Sequence, residues 1–99
     1  MLLDQILKEA VYMGASDVHL SPQTQPIVRL NTRLMPFSKI VLQQEDLEQM
    51  ALKILGDEGF LSFQLDGEID TSYRIDGIGN FRINIYRHQT MIAIAARII

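Results

Sequence analysis

The amino-acid pattern predicts a single α+β domain. Two observations carry that expectation. Apolar residues recur at three- and four-residue steps in the segments 2–13 and 43–55, and elsewhere they alternate with polar residues in short runs bounded by Gly, Pro, Asp-Gly or Asn-Thr. A third observation sets the scale. At 99 residues, 47% of them hydrophobic, the chain is long enough to bury roughly 60–65% of the surface its unfolded form exposes, so one core suffices without metal or disulfide.

Along the chain, Leu3, Ile6, Leu7, Ala10 and Val11 form the stripe of an amphipathic first helix, which Gly14 ends. From Ser16 to Ser21 the period changes to two. Val18 and Leu20 face one way, Asp17 and His19 the other, and Pro22 closes the strand. Strands at 27–30 and 33–37, joined through Asn31-Thr32, complete a small antiparallel unit. Thr resists positive φ, which makes this turn poorer than Asn-Gly. A second helix starts near Gln43, with Leu47, Met50, Ala51, Ile54 and Leu55 on one face and Gly56 closing it. Glu45, Asp46 and Glu48 suit the positive end of its dipole. Asp57 can cap a further short helix through Phe60, Leu61 and Phe63. Asp66-Gly67 then turns into a strand with Ile69, Thr71, Tyr73 and Ile75, and Asp76-Gly77 turns again.

The last two strands carry the strongest functional signal. Phe81, Ile83 and Ile85 alternate with Arg82, Asn84 and Tyr86, and Ile92, Ile94, Ala96 and Ile98 alternate with Ala93, Ala95 and Arg97. If the loop between them has an even number of residues, Arg82, Asn84, Ala93, Ala95 and Arg97 share the face opposite the isoleucines. Arg82 and Arg97 then sit opposite or diagonal. Like charges in that position cost roughly 0.2–1 kcal/mol, a cost that an arriving anion such as phosphate removes. The competing reading is that Asp70 or Glu68, one strand earlier, neutralises one of the two, and both readings can hold together.

Composition excludes several classes. With no cysteine there is no thiol chemistry, disulfide framework or Cys-based zinc site, and nothing requires an oxidising compartment. The start lacks the basic region of a signal peptide, and no apolar run approaches the ~20 residues of a membrane span, so a soluble, cytoplasmic chain is expected. Nine basic residues scattered among twelve acidic ones give a net charge of −3, which offers no reason to expect nucleic-acid binding. Any anion site must be local.

Gly77-Ile-Gly79 is no phosphate-cradling loop and no G-x-x-x-x-G-K-[ST] is present, so this chain is not a complete nucleotide hydrolase. Asp17 and His19 share a strand face and permit a general-base pair or half a metal site, with His88 the only other histidine. No third ligand follows at a recognisable spacing, and hydrogen bonding across the sheet or at a subunit surface is the simpler role. Asp66, Glu68 and Asp70 make an acidic run, either a solvated strand edge or ion-pair partners for Arg74 or Arg82. Ile98-Ile99 ends on a hydrophobic strand, from which further chain is expected.

Several segments together resemble one family. Ala15-Ser16-Asp17-Val18-His19-Leu20-Ser21-Pro22 is similar to the A-S-D-[LIV]-H-[LI] signature near the start of the secretion and pilus motor ATPases. Pro26 to Asn31, Glu45-Asp46-Leu47, Phe63, Gly67-Glu68-Ile69-Asp70, Tyr73, Phe81-Arg82-Ile83-Asn84 and Arg97-Ile98 follow in the order of the type IV pilus retraction (twitching motility, PilT-like) branch. The resemblance covers essentially the whole chain. It departs at Asn80, at Thr32 in place of a hairpin glycine, at Gln43 in place of a Ser or Thr cap, and at the glycine-free loop Gln89-Thr90-Met91.

The resemblance implies that residues 1–99 are an N-terminal PAS-like domain, an antiparallel sheet with helices packed on one face, and that a RecA-like ATPase domain is absent from this chain. It implies cytoplasmic homo-hexamers peripheral to the inner membrane, beside a pilus or secretion platform protein, in which ATP with Mg is hydrolysed. No nucleotide is expected on the fragment alone and no nucleic acid is a partner. In the family, arginines of this domain reach nucleotide bound on the ATPase domain, and Arg82 and Arg97 match that role. Asp17, His19, Arg29 and Asp70 are expected in interface or structural positions. The alternatives are a stand-alone PAS-like interaction or regulatory module, and a metal-dependent enzyme using Asp17, His19 and His88.

Overall fold

The computed structural model describes residues 2–99. Helix α1 (Leu2–Met13) is followed by β1 (Asp17–Leu20), β2 (Ile27–Leu30), β3 (Arg33–Pro36), helix α2 (Gln44–Asp66), β4 (Glu68–Ile75), β5 (Gly79–His88) and β6 (Met91–Ile98). The strands form one sheet in the order β3-β2-β1-β6-β5-β4, with every neighbouring pair antiparallel. The expected α+β class and antiparallel sheet are therefore present. The first three strands form the antiparallel unit read from the sequence, but it does not stand apart: β1 pairs with β6 on its other side.

Both helices cover one face. Leu3, Ile6, Leu7 and Ala10 of α1 and Leu47, Met50, Ala51 and Phe63 of α2 share one core with Val18, Leu20, Val28, Phe81, Ile83, Ile85, Ile92, Ile94 and Ala96 of the sheet. This core follows from the period-two pattern, since burying one face of each strand leaves its alternate residues on an open face. The open face therefore collects the polar set.

Local chemistry accounts for the breaks and turns. Gly56 takes φ 74° and ψ 176°, a combination open essentially to glycine alone, so α2 is two helical pieces meeting at a kink, as the Gly56-Asp57 pair predicts. The Asp46 carboxylate accepts the Gln43 N–H at 2.8 Å and closes the helix start without a Ser or Thr cap. At the other end Gly67 is left-handed, and its N–H reaches the Phe63 carbonyl at 2.7 Å. Arg87 sits at the end of β5. It donates to the Gln64 carbonyl at 2.6 Å and lies over the Phe63 ring at 5.5 Å.

The two glycine-free hairpins share one solution. Asn31 and Gln89 adopt the positive φ, at 61° and 59°, and each is followed by a threonine that does not. The strain that Thr32 threatened falls on a residue better able to bear it. The β5–β6 connection is thereby the two residues Gln89 and Thr90, between the paired His88 and Met91.

Candidate functional site

An even loop fixes the parity. Arg82 pairs directly with Arg97, and both stand on the open face with Asn84 and Ala95. Because β1 lies beside β6 and β2 beside β1, the same rung continues from Arg97 to Asp17 and from Asp17 to Arg29; on the other side Arg82 meets Ser72. Three arginines and one aspartate thus lie in a single row across the sheet.

Asp17 is the counter-ion of that row. Arg97 Nε donates to Asp17 Oδ1 at 3.3 Å, Arg29 Nε lies 3.8 Å from Oδ2, and Ser16 Oγ donates to Oδ2 at 2.7 Å. Burial opposes ionisation of this carboxyl, but the Ser16 hydrogen bond and the Arg97 and Arg29 charges outweigh it and hold the carboxyl below the usual carboxylate range. The Arg97 contact uses Nε and leaves the two terminal nitrogens uncommitted among the described residues. Arg82 is exposed and makes no ion pair among the described residues.

The competing reading, neutralisation by Asp70 or Glu68, is not what the described residues form: neither carboxylate makes an ion pair with Arg82 or Arg97. Asn84 Nδ2 donates to Glu68 Oε1 and to Asp70 Oδ1, each at 3.1 Å, so one oxygen of each carboxylate is bound to this amide. Arg74 pairs with Asp76 at 3.3 Å instead of with the acidic run. The carboxylate that does reach an arginine of the pair comes from β1, through a contact spanning 80 residues of sequence.

One rung further along, His19 faces Ala95 and Ala95 faces Asn84. The small alanine leaves a shallow depression of about 280 Å³, walled by Asp17, His19, Asp70, Arg82, Asn84 and Arg97. His19 makes no side-chain hydrogen bond among the described residues, so the expected hydrogen bond across the sheet is made by Asp17 and not by its neighbour. The metal-enzyme arrangement is not assembled. Asp17 is opposite Arg97 whereas His88 is opposite Met91, a separation along β6 of roughly 20 Å at strand spacing.

No protein-family model matches the chain. It is 24% identical over 97 residues to the type IV pilus ATPase PilU of Pseudomonas aeruginosa, and 26% identical over 86 residues to the type IV pilus retraction ATPase PilT of the same organism. These matches cover 98% and 87% of this chain. The crystal structure of the pilus retraction motor PilT with bound ADP superimposes with a TM-score of 0.84 at 30% identity, over 94% of this chain and 27% of that one. The homologues of this chain are type IV pilus motor ATPases. The ATPase DotB of Legionella pneumophila shares the fold, with a TM-score of 0.85 at 21% identity over 99% of this chain and 28% of DotB. The chain spans 25% of the length of each curated pilus ATPase it matches.

Proposed function

We propose that this domain is the N-terminal part of a hexameric pilus retraction motor, and that Arg82 and Arg97 contact the phosphates of ATP held on an ATPase domain. The observation that carries the reading is the cross-strand Arg82–Arg97 pair, of which Arg82 has no carboxylate partner among the described residues. The pilus ATPase relatives, one of them a retraction motor crystallised with ADP, support the nucleotide and motor context; the proposal extends this to Mg beside ATP in the complete protein, a cytoplasmic location and an inner-membrane platform partner.

The residues present fit that ligand. One aspartate against three arginines leaves the row with a net charge of about +2, concentrated on a rigid sheet. Arg97, held at Nε, presents its terminal nitrogens for bidentate contact with phosphate oxygens, and Arg82 adds a second charge beside it. Closure of this face on a catalytic neighbour would exclude water and strengthen both charges as negative charge builds on the transferred phosphoryl group. The same contact makes domain position depend on the phosphate present, which couples hydrolysis to movement. The sheet supplies electrostatics only; the chain has no P-loop.

The test is ATP turnover by the complete motor protein with Arg82→Ala or Arg97→Ala. Loss of a charge-stabilising donor of this kind costs roughly 10²-fold or more in turnover. Intact hexamers with unchanged turnover in both variants would refute the role.

A further inference from the structure

We infer that the free edge of β4 is a self-pairing surface, at which two copies of this chain join their sheets antiparallel about Thr71. The two sheet edges differ. At one end β3 is four residues long and contains Pro36, both devices that discourage a further strand. At the other end β4 is eight residues long, with no proline, lysine or bulge, and it pairs with β5 through its whole length.

The hydrogen-bond parity decides which backbone groups are offered. Arg87 N–H donates to the Gly67 carbonyl at 2.9 Å. In an antiparallel ladder bonded and non-bonded positions alternate, so 69, 71, 73 and 75 turn their backbone groups toward β5. The N–H and C=O groups of Glu68, Asp70, Ser72 and Arg74 therefore point away from the sheet. None of these has a backbone partner on that side among the described residues.

A second copy meets both parities at once. Centring on Thr71 places Glu68 opposite Arg74 and Asp70 opposite Ser72, each pair occurring twice by symmetry. All four of these residues offer outward backbone groups and all lie on the open face. Glu68 uses Oε1 on Asn84 and keeps Oε2 for a cation, while Arg74 is engaged among the described residues only by a highly exposed Asp76. On the helix side Ile69 meets Tyr73 of the second copy. Both are only half-buried at this edge, and pairing would cover them. Charge and apolar pattern thus favour another β4 over an unrelated strand.

Sedimentation of the chain from about 10 µM to about 1 mM spans the affinities expected of such an edge pair. A concentration-dependent dimer is expected. Glu68→Arg and Arg74→Glu each place like charges opposite one another twice, and each should weaken the dimer by about tenfold or more. An equimolar mixture of the two variants should recover it as a heterodimer, because Arg then faces Glu at both contacts. That recovery also shows that both variants are folded. A monomer at every concentration, or a dimer indifferent to either charge reversal, would overturn the inference.

Discussion

Arg82 and Arg97 stand directly opposite each other on neighbouring antiparallel strands, and of the two only Arg97 makes an ion pair among the described residues. The asymmetry gives each arginine a distinct signature. Arg82 contributes repulsion without compensation, so Arg82→Ala should leave the domain as stable or raise its stability by about 0.2–1 kcal/mol. Urea unfolding of the chain measures this directly. A substantial loss of stability would show that Arg82 has a structural partner.

Asp17 gives the acid limb of stability a specific origin. Its carboxyl is held below the usual range in the folded domain, so its contribution is fully present above the unfolded value near pH 4 and is lost as pH falls through the lower folded value. Asp17→Asn should remove that part of the acid dependence. Urea midpoints for both proteins at pH 7 and about pH 3 should then differ most at pH 7.

Tyr73 acts at the other end of the pH range. Its hydroxyl donates to Asp4 Oδ1 at 2.6 Å and ties β4 to α1. Burial, then the Asp4 hydrogen bond and charge, push its phenol above the ordinary tyrosine range. The stabilisation is therefore complete below the unfolded value of about 10 and declines as pH rises beyond it. Absorbance titration should show one of the three tyrosines ionising late, and Tyr73→Phe should abolish that late phase and cost about 1 kcal/mol at neutral pH.

The kink in α2 depends on one backbone conformation. A Cβ on Gly56 would meet nothing within 4 Å, so any penalty for Gly56→Ala is conformational and not steric crowding from neighbours. That penalty should be roughly 1–3 kcal/mol, read as a lowered urea midpoint. An unaffected midpoint would mean that the helix straightens without loss.

Arg87 tests how the sheet holds α2. Arg87→Ala removes the bond to the Gln64 carbonyl and the stacking on Phe63, and should cost about 1–2 kcal/mol. Faster amide exchange confined to residues near the end of α2 would place the loss at that contact.

Much of this arrangement is legible without coordinates because it is local. The alternation of Phe81, Ile83 and Ile85 with Arg82 and Asn84 assigns faces, the Gly56-Asp57 pair breaks α2, and Gly67 ends it. The length of the 89–90 turn was less readable, since it depends on Gln89 accepting a left-handed conformation where glycine is customary. The extension of β5 through Arg87 to His88 is equally silent, because no alternation of apolar residues continues beyond Tyr86.

The sequence by itself determined the composition of the open face, because a period of two sorts side chains wherever a strand has one buried side. It therefore put Arg82 with Arg97 and Asp17 with His19, each within its own hairpin or strand. Only the tertiary structure decided that those two groups meet. Strand order depends on which distant edges find one another once the core closes, and that choice set Asp17 between Arg29 and Arg97 while binding Glu68 and Asp70 to Asn84. Pairing across 80 residues has no local periodicity to announce it, so the counter-ion of the site could be seen only after folding.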